Sequence, residues 1–191
     1  DTVNDFNKVN YPLFPIEIKE WKGFLFINLS ETPSNFNKRF KPISNLLDSW
    51  ELDNLSLVEK KTYTVNCNWK LIIQNYSECY HCPNRHPSLV NSALDINHYK
   101  IKIKKGYHRH ITTDVGDRQG YTIKKDGREN LGEFGSWLLW PSMVFEVYPG
   151  GNLTTFNHVP GGPETVIQET EWYFTNQTPT NEEREVIDFV N

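Results

Sequence analysis

The sequence predicts a domain of the α+β class, and three features of its 191 residues lead to this prediction. Apolar and polar residues alternate in several consecutive short segments, which is the two-residue period of half-buried β-strands. A segment with helical spacing stands near the middle of the chain, and another one closes it. Strands in a row with separate helices are typical of α+β proteins, whereas regular strand–helix alternation marks parallel α/β sheets.

The first fifty residues predict a hairpin and a short helix. Residues 1–15 show little periodicity. Residues 16–21 alternate apolar and charged side chains, a Lys-Gly pair offers a turn, and residues 24–29 are apolar, which predicts a β-hairpin. Residues 31–41 are polar and predict a loop, while the apolar spacing in residues 42–50 predicts a short helix.

A strand and a helix lead to the part of the chain that is richest in metal-binding side chains. Residues 57–66 alternate and predict the strand. Asn66 or Asn68 can cap the helix that follows. We expect this helix to carry Glu78 and His81 at its C-terminal end. Its inward side chains are predicted to be Trp69, Ile72, Ile73 and Tyr76.

Strands dominate the second half of the chain. The predicted segments are one or two strands in residues 98–114, a glycine-rich loop at the pocket rim in 116–132, a strand bent by Pro141 in 137–148, a meander in 152–159 and 165–174, and a helix capped by Thr180 that runs through residues 182–191.

Two strand patterns in this half carry side-chain predictions. Lysine and isoleucine alternate between Lys100 and Lys105, so we expect Ile101 and Ile103 to face inward. His108 and His110 are two residues apart and therefore share one face of a strand, where we expect surface positions rather than a second metal pair.

Composition excludes several classes of function. The net charge of −4 gives no support for binding to nucleic acid or to an anionic membrane. No apolar run is long enough to span a bilayer, and the N-terminal residues lack the pattern of a signal peptide. The three cysteines, two of them beside histidines, suit a reducing cytoplasm better than a disulfide framework.

The segment from Asn75 to Pro87 concentrates metal-binding side chains. His81 and His86 stand five residues apart, and Glu78 precedes the first by three. Two imidazoles and a carboxylate with open coordination positions form the facial triad of non-haem Fe(II) oxygenases. Five residues correspond to roughly 140° around a continuous helix, so Pro83 must end the helix for the imidazoles to converge. Glu78 is then either a ligand or a group that holds the imidazole of His81.

Two simpler interpretations compete with an iron site. The histidines can be ordinary surface or core residues. Alternatively, Cys79 and Cys82 can join them in a structural zinc site, because zinc favours thiolate and imidazole ligands. All four zinc ligands would then lie within eight residues, whereas zinc sites draw ligand pairs from two separate segments.

The motif Asn68-Trp69-Lys70, then Glu78-Cys79-Tyr80-His81-Cys82-Pro83 and His86-Pro87, resembles the mononuclear-iron motif of Rieske non-haem iron oxygenase large subunits. The resemblance extends to the segment 21–29 and to Trp140-Pro141-Ser142, and so covers most of the chain. Glutamate with the flanking Cys-Tyr-His-Cys-Pro is more similar to the branch that acts on carnitine, glycine betaine and related quaternary ammonium compounds.

The resemblance implies a helix-grip fold (Bet v1-like or START-like), in which an antiparallel sheet curls around a C-terminal helix. It also implies that His81 and His86 bind Fe(II) and that Glu78 relays electrons from a Rieske cluster in a neighbouring subunit. The third ligand is expected to be an aspartate beyond Asn191, with Asp188 as the fallback within the chain. The residues expected around this centre are Asn75 and Tyr80.

The resemblance further implies parts that the 191 residues do not hold. None of the cysteines forms the C-x-H or C-x-x-H pairs of a Rieske [2Fe–2S] cluster. We therefore expect residues 1–30 to be a linker and hairpin that leave a missing Rieske domain, and residues 31–191 to be a catalytic domain truncated at its C-terminus. The expected partners are a flavin or ferredoxin-type reductase that draws on NADH, and neighbouring subunits, most simply in a trimer.

The implied reaction is O2-dependent hydroxylation, N-demethylation or C–N cleavage of a small quaternary ammonium or methylated amine substrate. An aromatic cage is the expected recognition device, because aromatic rings attract cations. The rings proposed for it are Trp137, Trp140, Phe145, Tyr148 and Phe156. Two alternatives stay open at this point, namely an aromatic ring-hydroxylating dioxygenase and a non-catalytic ligand-binding module of the same fold.

Overall fold

A computed structural model describes residues 6–92, 94–112, 134–148 and 150–189. The predicted loop over residues 116–132 lies outside the described residues. The chain divides into two compact units, Asp1–Pro42 and Ile43–Asn191. No helix in the described ranges is both long and apolar enough to cross a membrane.

The first unit contains the predicted hairpin. Strands β1 (Glu17–Trp21) and β2 (Phe24–Asn28) pair antiparallel through a turn at Lys22 and Gly23. Both turn residues have positive φ, +48° and +83°, which matches the right-handed twist of the strands that the turn connects. The hairpin prediction is therefore confirmed.

Helix α1 (Phe36–Leu47) begins earlier than predicted. Asn35 caps it, because its side-chain oxygen accepts a hydrogen bond from the backbone N–H of Lys38 at 2.8 Å. Phe36 and Phe40, one helical turn apart, both pack against Phe26 with tilted rings, at centroid distances of 5.1 and 5.2 Å. The predicted loop in residues 31–41 is thus wrong after Asn35, since these local contacts outweigh the polar composition.

The described strands of the second unit form one antiparallel sheet of seven strands in the order β3-β9-β8-β7-β6-β5-β4. The strands are β3 (Ser56–Val65), β4 (Lys100–Lys104), β5 (Tyr107–Thr112), β6 (Phe134–Leu139), β7 (Met143–Val147), β8 (Leu153–Gly162) and β9 (Thr165–Phe174). The helices of this unit are α2 (Trp69–Tyr76), α3 (Cys82–Arg85), α4 (Pro87–Ser92) and α5 (Asn181–Phe189).

The predicted bent strand over residues 137–148 is instead two paired strands, β6 and β7. The chain reverses through a cis peptide bond between Trp140 and Pro141, and the backbone N–H of Ser142 donates to the carbonyl oxygen of Leu139 at 3.1 Å. Proline has no N–H for a sheet ladder, which explains why the apolar run is interrupted at this point.

The inward positions predicted on β4 are also wrong. Ile101 and Ile103 remain 39% and 69% exposed. All the residues of β4 are exposed, so the described residues cover neither face of this edge strand. The neighbouring prediction of two strands with a turn at Gly106 is confirmed, since Gly106 has a φ of +91°.

One face of the sheet packs against the helices. Val186 and Ile187 of α5 are buried in a cluster with Tyr148, Trp172 and other apolar side chains of the sheet. Thr180 caps α5 as predicted: its hydroxyl accepts from the N–H of Glu183, whose carboxylate accepts from the N–H of Thr180. An antiparallel sheet that packs on a C-terminal helix confirms the α+β helix-grip prediction.

Candidate functional site

The second unit encloses a cavity of about 450 Å³ between this face of the sheet and the segment from α2 to α4. His81 and His86 line one side of it. The opposite side is formed by strand residues that point to the same face of the sheet, which are His110, Phe134, Ser136, Glu146, Tyr148, Phe156, His158 and Gln168.

Helix α2 ends before the predicted site residues rather than carrying them. Asn68 caps its start, with its side-chain oxygen 3.1 Å from the N–H of Lys70. At the other end, the hydroxyl of Ser77 donates to the carbonyl oxygen of Ile73 at 2.6 Å and so satisfies an acceptor of the last helical turn. Glu78 and His81 therefore lie in the irregular segment that follows, which corrects the prediction that they belong to the helix.

A single helical turn brings the two histidines together. His81 immediately precedes α3 and His86 immediately follows it, and the N–H of Arg85 donates to the carbonyl oxygen of His81 at 2.9 Å. The ring centroids are 5.2 Å apart with planes at 74°. When two imidazoles coordinate one metal ion with metal–nitrogen distances of about 2.1 Å, their ring centres lie roughly 5 Å apart. The pair therefore fits a metal that is held by both rings.

Glu78 fixes the orientation of His81. Its Oε1 lies 2.5 Å from Nδ1 of that ring, and its other oxygen accepts from the N–H of Tyr80. The contact with His81 is the main reason that the pKa of Glu78 is lowered. The amide nitrogen of Asn75 lies 3.3 Å from the same Nδ1. Since Nδ1 is engaged, Nε2 is the atom that His81 can offer to a metal.

His86 is more exposed than His81, and its neutral form is favoured, which suits metal binding. Burial, with a further contribution from the nearby His81, lowers the pKa of His86. A neutral imidazole is the form that coordinates a metal.

The third ligand is not found among the described residues. Within them no group of three or more His, Cys, Asp or Glu side chains has an arrangement that could hold a metal ion. Asp188, the fallback, is exposed on α5 and does not line the cavity.

The two cysteines beside His81 are bonded to each other. Cys79 and Cys82 form a disulfide, and Cys67 is a free thiol. The sequence analysis gave no disulfide for this pair. The bond forms here because the turn before α3 brings the two Cα atoms to 5.0 Å. Sulfurs in a disulfide are not thiolates, so this pair cannot supply the ligands of the zinc alternative.

The predicted aromatic cage is only partly brought together. Tyr148 and Phe156 line the cavity. Trp137 and Phe145 pair across β6 and β7 and are buried on the opposite face of the sheet, so their prediction as pocket residues is wrong. Strand alternation explains this, because Ser136 and Glu146 take the cavity face in the same pair of strands.

Two further predicted residues lie apart from the cavity lining. Trp140 is 51% exposed, with its ring centroid 6.0 Å from that of Trp69. Tyr80 is 93% exposed, so its predicted place beside the metal ligands is wrong. Its backbone N–H, rather than its side chain, contacts Glu78.

The sequence analysis missed a polar cluster on the sheet. The carboxylate of Glu146 accepts hydrogen bonds from the hydroxyls of Tyr76, at 2.7 Å, and Tyr148, at 2.5 Å, and Ser136 contacts the hydroxyl of Tyr76. Burial raises the pKa of Glu146, and the hydroxyl donors partly oppose this effect. A lone glutamate inside the most apolar run of the chain was the signal that could have revealed it.

Two buried histidines complete the polar wall. His110 is 1% exposed and its Nδ1 lies 2.6 Å from the hydroxyl of Tyr99, so the predicted surface position is wrong. His158 is 3% exposed. Burial lowers the pKa of both imidazoles to about 4, which keeps them neutral at pH 7.

Comparison with known proteins agrees with this fold. Residues 52–190 match the family described as the ring hydroxylating alpha subunit, catalytic domain. The chain belongs to this family.

Among its relatives is the carnitine monooxygenase oxygenase subunit of Acinetobacter baumannii, 29% identical over 99% of this chain and 51% of the relative. The glycine betaine monooxygenase oxygenase subunit of Pseudomonas aeruginosa is 33% identical over 48% of this chain and 21% of the relative. The chain spans about half the length of the carnitine monooxygenase subunits that it matches.

Solved structures show the same similarity. The quaternary ammonium Rieske monooxygenase CntA in complex with L-carnitine superposes with a TM-score of 0.77 at 26% identity, covering 98% of this chain and 49% of that one. Naphthalene 1,2-dioxygenase from Rhodococcus sp. has a TM-score of 0.65 at 16% identity, over 92% of this chain and 49% of that one, and so shares the fold.

Proposed function

We propose that this chain is the catalytic part of a Rieske-type oxygenase that acts on a small quaternary ammonium or methylated amine. The observation that carries the proposal is the pair of imidazoles, His81 and His86, whose rings lie 5.2 Å apart and line one cavity. Relatives named as carnitine and glycine betaine monooxygenase subunits support the substrate class.

In this proposal His81 and His86 coordinate Fe(II), and an aspartate from outside the described residues is the third protein ligand. Bound there, the iron supplies the activation of O2. Glu78 accepts the Nδ1 hydrogen of His81 and thereby holds its Nε2 toward the metal. In the same proposal this carboxylate also relays electrons that come from the [2Fe–2S] cluster of a neighbouring subunit.

The proposed reaction inserts one oxygen atom into a C–H bond next to the substrate nitrogen. The resulting carbinolamine breaks its C–N bond and yields an aldehyde and an amine. The second oxygen atom leaves as water, with two electrons from NADH through a separate reductase and with protons from solvent. We propose a cytoplasmic location because NADH supplies the electrons. We propose a homo-oligomer because the electrons reach Glu78 from a neighbouring subunit.

The aromatic dioxygenase alternative is less well supported by the cavity. Naphthalene is an apolar ring system, whereas the sheet wall of this cavity holds Glu146, His110 and His158 in buried positions. Buried polar groups are retained where something hydrogen-bonds or pairs with them, which favours a polar or charged substrate.

The test uses the protein as its gene encodes it, with a reductase and NADH. We expect His81→Ala and His86→Ala to lose bound iron and all coupled turnover. His98→Ala, which replaces an exposed histidine, should retain both. Stoichiometric iron in both site variants would overturn the metal assignment.

A substrate panel tests the second half of the proposal. Carnitine, glycine betaine and an aromatic acid are compared for NADH oxidation that is matched by product. Coupled turnover of the aromatic acid alone would overturn the quaternary ammonium assignment. Ligand binding that survives in His81→Ala together with no turnover in any form of the protein would favour a non-catalytic module.

A further inference from the structure

The far wall of the cavity contains an imidazole that the proposed metal chemistry does not use. His158 lies on β8, is 3% exposed and lines the cavity. Neither of its ring nitrogens has a hydrogen-bond partner among the described residues. Buried polar groups in native proteins are nearly always hydrogen-bonded, so a buried imidazole with two unpaired nitrogens at a cavity wall indicates a missing partner.

A second group on the same wall has the opposite character. Both oxygens of Glu146 are occupied by tyrosine hydroxyls, from Tyr76 and Tyr148, so the carboxylate offers charge rather than a free acceptor. The ring of Tyr148 also packs edge-on against Phe134, with centroids 5.3 Å apart. A quaternary ammonium group donates no hydrogen bond and is attracted by charge and by aromatic faces, which this end of the cavity supplies.

The two groups are separated along the sheet. Glu146 pairs with Thr154 on β8, and His158 lies four residues further along that strand. Four residues correspond to about 13 Å between the backbone positions. Both residues line the cavity, so a small molecule with a few carbons between its two recognised groups could lie between them.

We propose that His158 and Glu146 together select a zwitterion, with His158 donating a hydrogen bond to the carboxylate of the substrate and Glu146 facing its quaternary ammonium group. This inference rests on the proposed function, since it names the residues that recognise each end of that substrate. A neutral imidazole holds one N–H donor, which the carboxylate of the substrate accepts. The cation in turn stabilises the ionised form of Glu146.

The test measures equilibrium binding by calorimetry, without NADH or reductase, in the protein as its gene encodes it. L-carnitine is the zwitterionic probe, and choline is the cation without a carboxylate. We expect His158→Leu to weaken carnitine binding by roughly tenfold or more and to leave choline binding within about twofold. His158→Gln, which keeps a donor, should restore most of the affinity for carnitine. Glu146→Gln should weaken both probes by similar factors.

Asn157→Leu is the matched control, because Asn157 is the neighbour of His158 on β8 and points to the other face of the sheet. It should bind both probes as the wild type does. Thermal unfolding shows whether each variant is folded, and His158→Gln serves if His158→Leu is not.

Three results separate the possible failures. Unchanged carnitine binding in both His158 variants would overturn the proposal, and so would an equal loss of carnitine and choline in them. A wild-type protein that binds neither probe but binds an aromatic acid would overturn the proposed function itself.

Discussion

Glu78 and His81 form a carboxylate–imidazole pair with 2.5 Å between Oε1 and Nδ1. Groups that hold a metal-binding imidazole in this way commonly change metal affinity by about 10- to 100-fold when they are removed. We expect Glu78→Ala to lower the affinity for Fe(II) within this range. Glu78→Gln can still accept from Nδ1 and should retain most of the affinity. Equilibrium titration with Fe(II) under anaerobic conditions checks both variants.

The two Glu78 variants also separate positioning from electron relay. If Glu78 serves only to orient His81, turnover in Glu78→Gln should follow its iron content. We expect instead that turnover falls much further than iron content, because the amide carries no negative charge toward a neighbouring subunit. A ratio of turnover to iron equal to that of the wild type would contradict the relay role.

The packing under α2 is expected to be sensitive to truncation. Leu138 is fully buried in a cluster with Ile73 and Val144. Leu138→Ala should lower the free energy of unfolding by about 2–5 kcal/mol, because it removes buried methyl groups and leaves a cavity. Leu71→Ala, on the exposed side of the same helix, should change it by less than about 0.5 kcal/mol. Urea unfolding followed by tryptophan fluorescence measures both.

The disulfide between Cys79 and Cys82 can be checked by mass spectrometry. Trypsin releases the peptide of residues 71–85, which holds both cysteines. Without reductant this peptide should be two hydrogens lighter than the dithiol and should not react with iodoacetamide. After reduction it should take up an alkyl group at each cysteine. Alkylation of both cysteines before reduction would show that the bond does not form.

The buried imidazoles predict how stability depends on pH. Burial lowers the pKa of His110 and His158 from 6.5 to about 4, so between these values the unfolded chain binds protons that the folded chain does not. The free energy of unfolding is therefore unaffected by these rings above pH 6.5. It decreases as the pH falls toward 4, by at most about 3 kcal/mol for each ring.

The raised pKa of Glu146 makes the folded state more stable as the pH falls, which opposes the effect of the histidines. Comparing the wild type with a His158 variant therefore isolates the contribution of His158. Melting temperatures of the wild type should fall more steeply between pH 6.5 and pH 4.5 than those of His158→Leu. Parallel curves for the two proteins would contradict the lowered pKa of His158.

The sequence was sufficient to predict local architecture at several turns and helix caps. The β1–β2 turn, the Asn68 cap and the capping pair of Thr180 with Glu183 depend on neighbouring residues, and each appears as its residue types indicate. The motif around His81 likewise indicated the family.

What the sequence did not predict depends on pairing between distant segments. The cavity face of β6 and β7 is set by their mutual register, which sends Trp137 outward and Glu146 inward. A shift of one residue would reverse both, and hydrophobicity alone favoured the wrong set. Burial of His110 likewise depends on Tyr99 and on strands far along the chain.

The exposed strand β4 has a consequence for colloidal behaviour. Its outer backbone groups have no partner strand among the described residues, which makes it a template on which other chains could assemble. Lysines at every second position, Lys100, Lys102 and Lys104, place like charges along that rim. Any second copy that docked there would bring its own ammonium groups against them, so we expect this edge strand to resist fibril growth at neutral pH and to lose that protection if the amines were acetylated.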